Sequence, residues 1–204
     1  MALASMMAMA LLAGCGNQSG TETSGASRSE TAAESGSASG ETEGNVIKYV
    51  MAGEPETLDP NMNNYAASSN VLLNLFTGLY QYTADGTGVE PACAESYTVS
   101  EDGLTYTFKL REGLKWSDGS PLTAADFEYS WKRTLKEDTA SPAAFELYVI
   151  KNGEAYNYGE CTEDEVGVKA IDDTTLEVVL ENPTAYFVHL TAASNFAPVK
   201  KDVV

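Results

Sequence analysis

Histidine is nearly absent from this sequence: His189 is the one imidazole in 204 residues. That leaves almost no room for a His-based metal centre or a His-activated nucleophile. Cysteine is scarce as well. Cys15, Cys93 and Cys161 stand far apart with no C-x-x-C spacing, so zinc and redox motifs are absent. Basic residues are few: 12 Lys and Arg face 30 Asp and Glu, a formal net charge of −18. A nucleic-acid backbone and an anionic lipid surface both call for a basic face. Nucleic acid is therefore excluded as a partner, and so is electrostatic docking on a membrane. No apolar run approaches the roughly 18–20 residues that a membrane-spanning helix needs. The many carboxylates fall in turns and on polar faces, where solvated charge is the default. No catalytic residue, metal site or cofactor site is read from the sequence.

What is present begins with an address. Ala2 to Ala13 are apolar or small, and the run ends in Leu12-Ala13-Gly14-Cys15. A short apolar run closed by small residues has the form of a secretory signal and its cleavage site. The Leu-Ala-Gly-Cys ending looks like a bacterial lipobox, which implies removal of residues 1–14 and a lipid on Cys15. No Lys or Arg precedes the run, which reads as a start codon lying upstream of Met1.

Residues 15–45 read as a tether. From Asn17 to Asn45 the chain is almost wholly Ser, Gly, Thr, Glu and Ala, with no aromatic and no branched aliphatic side chain. Such a segment buries too little apolar surface to offset its ordering entropy. By flexible-linker scaling it spans roughly 30 Å root-mean-square. Five Glu against the single Arg28 keep it expanded.

The folded part starts near Val46. Val46 to Val50 reads as a strand, stopped by Gly53 and Pro55. Ser68 to Phe76 reads as a helix with Val71, Leu72, Leu75 and Phe76 as its core stripe. Tyr97 to Val99 and Thr105 to Leu110 alternate apolar with polar residues around Glu101-Asp102-Gly103, which predicts a hairpin. Thr123 and Asp126 form a capping-box pattern that opens a helix to about Lys136. Its Phe127, Trp131 and Leu135 fall on one face. Ser141-Pro142 opens a further helix to about Ile150. Val168 to Ile171 and Leu176 to Leu180 read as two strands joined at Asp172-Asp173, and Ala185 to Leu190 as a short helix. Trp116-Ser117-Asp118-Gly119 reads as a tight turn with a buried Trp. Leu58-Asp59-Pro60 reads as a strand end, and Arg111 as the partner of a carboxylate. Cys93 reads as a small buried hydrophobe in a helix-like segment. A disulfide between Cys93 and Cys161 is open outside the cytoplasm.

The chain then shows an ordered series: Glu54-Pro55-Glu56-Thr57-Leu58-Asp59-Pro60, Asn74-Leu75-Phe76-Thr77-Gly78-Leu79 and Pro91-Ala92-Cys93-Ala94-Glu95-Ser96-Tyr97. Next come Asp102 to Phe108, Leu110-Arg111-Glu112-Gly113-Leu114-Lys115-Trp116-Ser117-Asp118-Gly119 and Thr123 to Phe127. Gly167 to Asp172, Thr175 to Val178 and Pro183 to Phe187 follow. This series resembles the extracellular solute-binding proteins, family 5, which include the oligopeptide-binding proteins of ABC importers. The resemblance runs from about Glu54 to Pro198.

It implies an α/β (mixed α+β) fold of the type II periplasmic-binding-protein kind, two lobes closing on an extended peptide. Residues 46–204 would hold the start of lobe I (about 46–78), an accessory domain (about 79–181) and the return to lobe I (about 182–204), with the second lobe missing. The matched positions place ligand contacts at Asn64, Tyr65 and Ala66, and near Ser141 and Ala143. The implied partners are a peptide and the permease and ATPase of an ABC importer, with a lipid on Cys15 as membrane anchor, for a monomer held outside the cytoplasm. Asn64 and Ala143 depart from the acidic residue and the Tyr frequent at those places. The family also takes nickel, haem or oligosaccharide. A secreted hydrolase using paired carboxylates and a surface adhesin are the readings outside it.

Overall fold

Alternation of side chains sets the central sheet. In this computed structural model, which describes residues 48–51 and 53–204, Tyr106, Phe108 and Leu110 of one strand are buried while Lys109 is exposed. Period-two burial of this kind leaves one face for a core and one for solvent. The signal segment, Cys15, the tether and Val46–Ile47 lie outside the described residues.

The predicted hairpin is β3 (Ala94–Val99) and β4 (Thr105–Leu110), paired antiparallel with Tyr97 opposite Phe108. Gly103 turns it at φ +72°, in the left-handed region that suits glycine. The carboxylate of Asp102 accepts Leu104 N–H at 3.0 Å beside it. β5 (Val168–Asp172) and β6 (Thr175–Val179) complete a four-stranded sheet in the order β3-β4-β6-β5. Asp172 accepts Thr174 N–H at 2.8 Å in the predicted turn. A separate hairpin, β1 (Tyr80–Tyr82) with β2 (Val89–Pro91), stands before β3.

The apolar face of the sheet is covered by α2 (Ala124–Leu135). Asp126 accepts the Thr123 N–H at 2.8 Å, which supplies the expected cap. Phe127, Trp131 and Leu135 are fully buried, as the helical period requires. Trp131 Nε1–H donates to Phe196 O at 2.9 Å, so the indole is buried without an orphaned donor. One continuous core joins Tyr106, Phe108, Trp131 and Leu176 with Phe187 of α4 (Phe187–Leu190) and with Phe196.

Several expectations are corrected. Lys48 to Val50 form no strand and lie exposed, because no ladder partner stands beside them among the described residues. The helix before β1 is α1 (Ala66–Leu75), and of the expected stripe only Leu72 is fully buried, while Leu75 is 60% exposed. The place of an apolar residue on the inner face is taken by Ser68, whose hydroxyl accepts Glu56 N–H at 3.0 Å. The segment after Ser141-Pro142 is a 3-10 helix, Ala144–Leu147, rather than an α-helix reaching Ile150. Its hydrogen bonds run three residues back, from Glu146 to Ala143 and from Ile150 to Leu147. Ala144, Leu147 and Ile150 are buried at that period of three. The following α3 (Gly153–Asn157) is only five residues long.

Trp116 is half-buried, not buried. Arg111 pairs with no carboxylate among the described residues; its Nε donates to Ala92 O at 2.7 Å. Cys93 lies in a bend just before β3, not in a helix. Cys93 and Cys161 are both free thiols. Burial pushes the Cys93 thiol up to about 11, against the opposing pull of the Arg111 guanidinium, and Cys93 Sγ donates to Thr77 O at 3.5 Å.

Candidate ligand-binding cleft

Asp59 begins the construction of the cleft. Its Oδ1 accepts Asn61 N–H at 3.0 Å and caps a 3-10 turn, Pro60–Met62. Asp59 is therefore a helix cap, not a strand end. The same carboxylate takes Arg133 of α2 through Nη1 at 3.1 Å and Nη2 at 2.7 Å, and Arg133 Nη1 also reaches Asn61 Oδ1 at 2.8 Å. Two parallel charge-assisted bonds fix direction as well as distance, so the segment is pinned to the main helix.

Asn63 takes over from there. It is buried, and its Oδ1 accepts Tyr65 N–H at 3.0 Å, an Asx turn. Its Nδ2 donates to Ser69 Oγ at 2.8 Å and to Ser194 Oγ at 3.2 Å. With the backbone locked from beneath, Asn64, Tyr65 and Ala66 stand exposed at the rim of a cleft of about 200 Å³. Tyr82, Glu146 and Asn195 also line it. Glu146 comes from the 3-10 helix after Ser141-Pro142, and its Oε2 accepts Asn195 Nδ2–H at 2.9 Å. Burial raises the Glu146 carboxyl above its ordinary range, and the Asn195 bond only partly offsets this.

The structure brings Asn64, Tyr65 and Ala66 together and leaves Ser141 and Ala143 out of the lining. The Ser141 hydroxyl is spent on Asn61 O and on accepting Ala143 N–H. Ala143 is fully buried beneath the turn. These two residues position the loop instead of facing the cleft. Asn63, Tyr82, Glu146 and Asn195 were not legible as site residues. For Asn63 the signal was there, an Asn two residues before a loop Tyr. Glu146 and Asn195 lie 49 residues apart, and nothing local in the sequence joins them.

A larger groove, about 630 Å³, opens between Phe76, Arg111, Trp116 and Pro198. The Arg111 guanidinium there is turned onto the carbonyls of Ala92 and Pro91, and among the described residues the groove's lining holds Lys115 but no carboxylate and none of Asn64, Tyr65 and Ala66. The smaller cleft is the better candidate.

Comparison with known proteins fits this architecture. The sequence pattern described as bacterial extracellular solute-binding proteins, family 5 (middle), matches residues 88–203, more than half of the chain. The chain belongs to family 5 of the bacterial extracellular solute-binding proteins. Among family 5 relatives, the oligopeptide-binding protein OppA of Bacillus subtilis (strain 168) is 45% identical over 150 residues, covering 74% of this chain and 27% of that protein. The dipeptide-binding protein DppE of the same organism is 43% identical over 163 residues, covering 79% and 30%. A solved structure of the substrate-binding domain of an oligopeptide ABC transporter from Bacillus anthracis str. Ames superposes with a TM-score of 0.71 at 44% identity, covering 73% and 29%. The mixed α/β fold is thus that of this family's solved receptors. The chain spans less than a third of the length of these relatives. No helix among the described residues is long and apolar enough to cross a membrane.

Proposed function

We propose that the protein is an extracytoplasmic receptor that captures peptides and delivers them to the permease and ATPase of an ABC importer. The observation that carries this reading is the identity of 45% and 43% to two proteins named for oligopeptide and dipeptide binding. In this reading the peptide lies extended and its main chain is read by protein backbone and polar loop groups. Asn64, Tyr65 and Ala66 form part of one wall. Residues 46–78 and 182–204 belong to lobe I, and 79–181 form the accessory domain. Cys15 carries a lipid that holds a monomeric head outside the cytoplasm, with residues 15–45 as the tether.

The test is expression of the full-length gene product and mass spectrometry of what co-purifies. A mixture of short peptides is expected; a metal, haem or sugar in place of peptides overturns the assignment. Anchoring is tested separately. Cys15→Ser is expected to move the protein from the membrane fraction to the soluble fraction, because the acidic chain offers no basic patch as a second anchor. Unchanged fractionation of that variant refutes the lipid on Cys15.

A further inference from the structure

Among the described residues, Glu146 is the only charged side chain lining the cleft. The described ion pairs join Lys132 to Glu128, Arg133 to Asp59, Lys136 to Asp138 and Lys200 to Asp118, and none reaches Glu146. Oε2 is held by Asn195, itself 4% exposed, while Oε1 accepts nothing among the described residues. Glu146 is only partly buried, so Oε1 is open to solvent and available to a ligand. A glutamine would accept the same Asn195 bond without partly desolvating a charge, so holding Asn195 does not by itself account for the carboxylate. Tyr65 and Tyr82, each 47% exposed, share the lining. Aromatic faces and a carboxylate attract the same kind of group, a cation. At about 200 Å³ the cleft is smaller than the roughly 300–1,000 Å³ typical of whole-ligand pockets, a size that suits one side chain or chain end of a longer ligand.

We infer that Glu146 makes this cleft a subsite for a cationic group of the bound peptide, an ammonium or guanidinium that docks on Oε1 between Tyr65 and Tyr82. The inference rests on the peptide-receptor reading and names what that receptor selects. The cation donates to the open Oε1 in place of solvent, as a charge-assisted hydrogen bond. Asn195 acts through Glu146, as a positioning residue that fixes the carboxylate plane.

The experiment is calorimetric titration of the full-length gene product with tetra-alanine, its single-lysine variants and its single-glutamate variants, each with and without N-acetylation. One lysine position is expected to bind about tenfold more tightly than alanine, the scale of one charge-assisted hydrogen bond. That preference is expected to vanish in Glu146→Gln. Glu146→Lys is expected to shift the preference toward the glutamate peptide, and thermal melts establish that both variants are folded. If the group is the chain-terminal ammonium, acetylation weakens binding to the parent protein and not to Glu146→Gln, which also supports the inference. Equal binding of alanine, lysine and acetylated peptides overturns the inference and leaves the receptor reading standing. A lysine preference that survives in Glu146→Gln overturns it likewise. No binding of any peptide overturns both.

Discussion

The carboxylate of Asp59 serves two structures at once, capping the Pro60–Met62 turn and receiving both terminal nitrogens of Arg133. The two side chains are 18% and 23% exposed, so the pair is screened less than a surface ion pair. Removing one partner leaves the other charge partly buried. Asp59→Ala is therefore expected to destabilise the domain by about 1.5–3 kcal/mol, the range for hydrogen bonds to charged groups. Asp59→Asn, which keeps an acceptor for Asn61 N–H, is expected to lose less. Urea denaturation with linear extrapolation measures both; a loss under about 0.5 kcal/mol for Asp59→Ala would place the pair among ordinary surface contacts. This pairing was invisible in the sequence, because Asp59 and Arg133 lie 74 residues apart. The Leu-Asp-Pro triplet offered only its local meaning, the end of an extended segment. Gly78 was equally opaque: it sits in a plain loop motif, yet a Cβ there would collide with the carbonyl oxygen of Thr191, a long-range approach that only the fold discloses.

At the scale of elements, legibility followed pattern length. The β3–β4 hairpin and α2 were readable because six alternating residues and a twelve-residue amphipathic helix each repeat their period several times. The β1–β2 hairpin was not, since Tyr80–Tyr82 and Val89–Pro91 are three residues each and show no period. The segment after Ser141-Pro142 misled for a related reason. Its apolar residues support a helix, but spacing of three and spacing of three-and-a-half are indistinguishable over four residues. Where the pattern is long the energetics follow it. Trp131→Ala is expected to cost about 3–5 kcal/mol, the usual loss for a fully buried large aromatic, because the indole also packs edge-on against Phe187 and Phe196. Chemical denaturation reads this, and a loss below about 1 kcal/mol would mean that the core closes over the gap.

The turns make a second prediction at this scale. Asp85, Asp102, Asp118, Glu165 and Asp172 are held below their ordinary range, chiefly by hydrogen bonds from neighbouring Ser, Thr and backbone groups, and for Asp118 first by Lys200. A carboxyl lowered in the folded state binds its proton more weakly there than in the unfolded chain. Its contribution is present above the unfolded pKa of about 4 and is lost as pH falls toward the folded value. Glu146, raised by burial, has the opposite sign, but it is one group against five. The melting temperature is expected to fall as pH is lowered from 6 to about 3, where unfolded-chain carboxylates protonate first. A melting temperature that holds steady across that interval refutes the role of the turn carboxylates.

For the whole molecule, the family and the mixed α/β class were legible because the ordered motifs run through almost the entire folded part, while the cleft was legible only at its rim. Asn64, Tyr65 and Ala66 stand on one loop; the floor comes from Glu146 and Asn195, which reach it from distant parts of the chain. The proposed function sets a test for the molecule as a unit. A receptor that closes on its ligand gains affinity from contacts made by both walls in the closed state. On the proposed reading the described residues supply one wall, and the chain covers 27% and 30% of the length of relatives named for oligopeptide and dipeptide binding. On an open wall each hydrogen bond competes with water and nets only about 0.5–1.5 kcal/mol. Association costs about 4–15 kcal/mol before any of these contacts count. A few polar contacts at Asn64, Tyr65 and Glu146 do not offset that cost. The 204-residue polypeptide is therefore expected to fold around the β3-β4-β6-β5 sheet and α2, yet to give no heat with tri- to pentapeptides at micromolar concentration. A longer gene product carrying the remainder of the relatives' length is expected to bind them. Isothermal titration of both decides the point: micromolar binding by the 204 residues alone would place the whole site within the cleft described above and remove the need for a facing lobe.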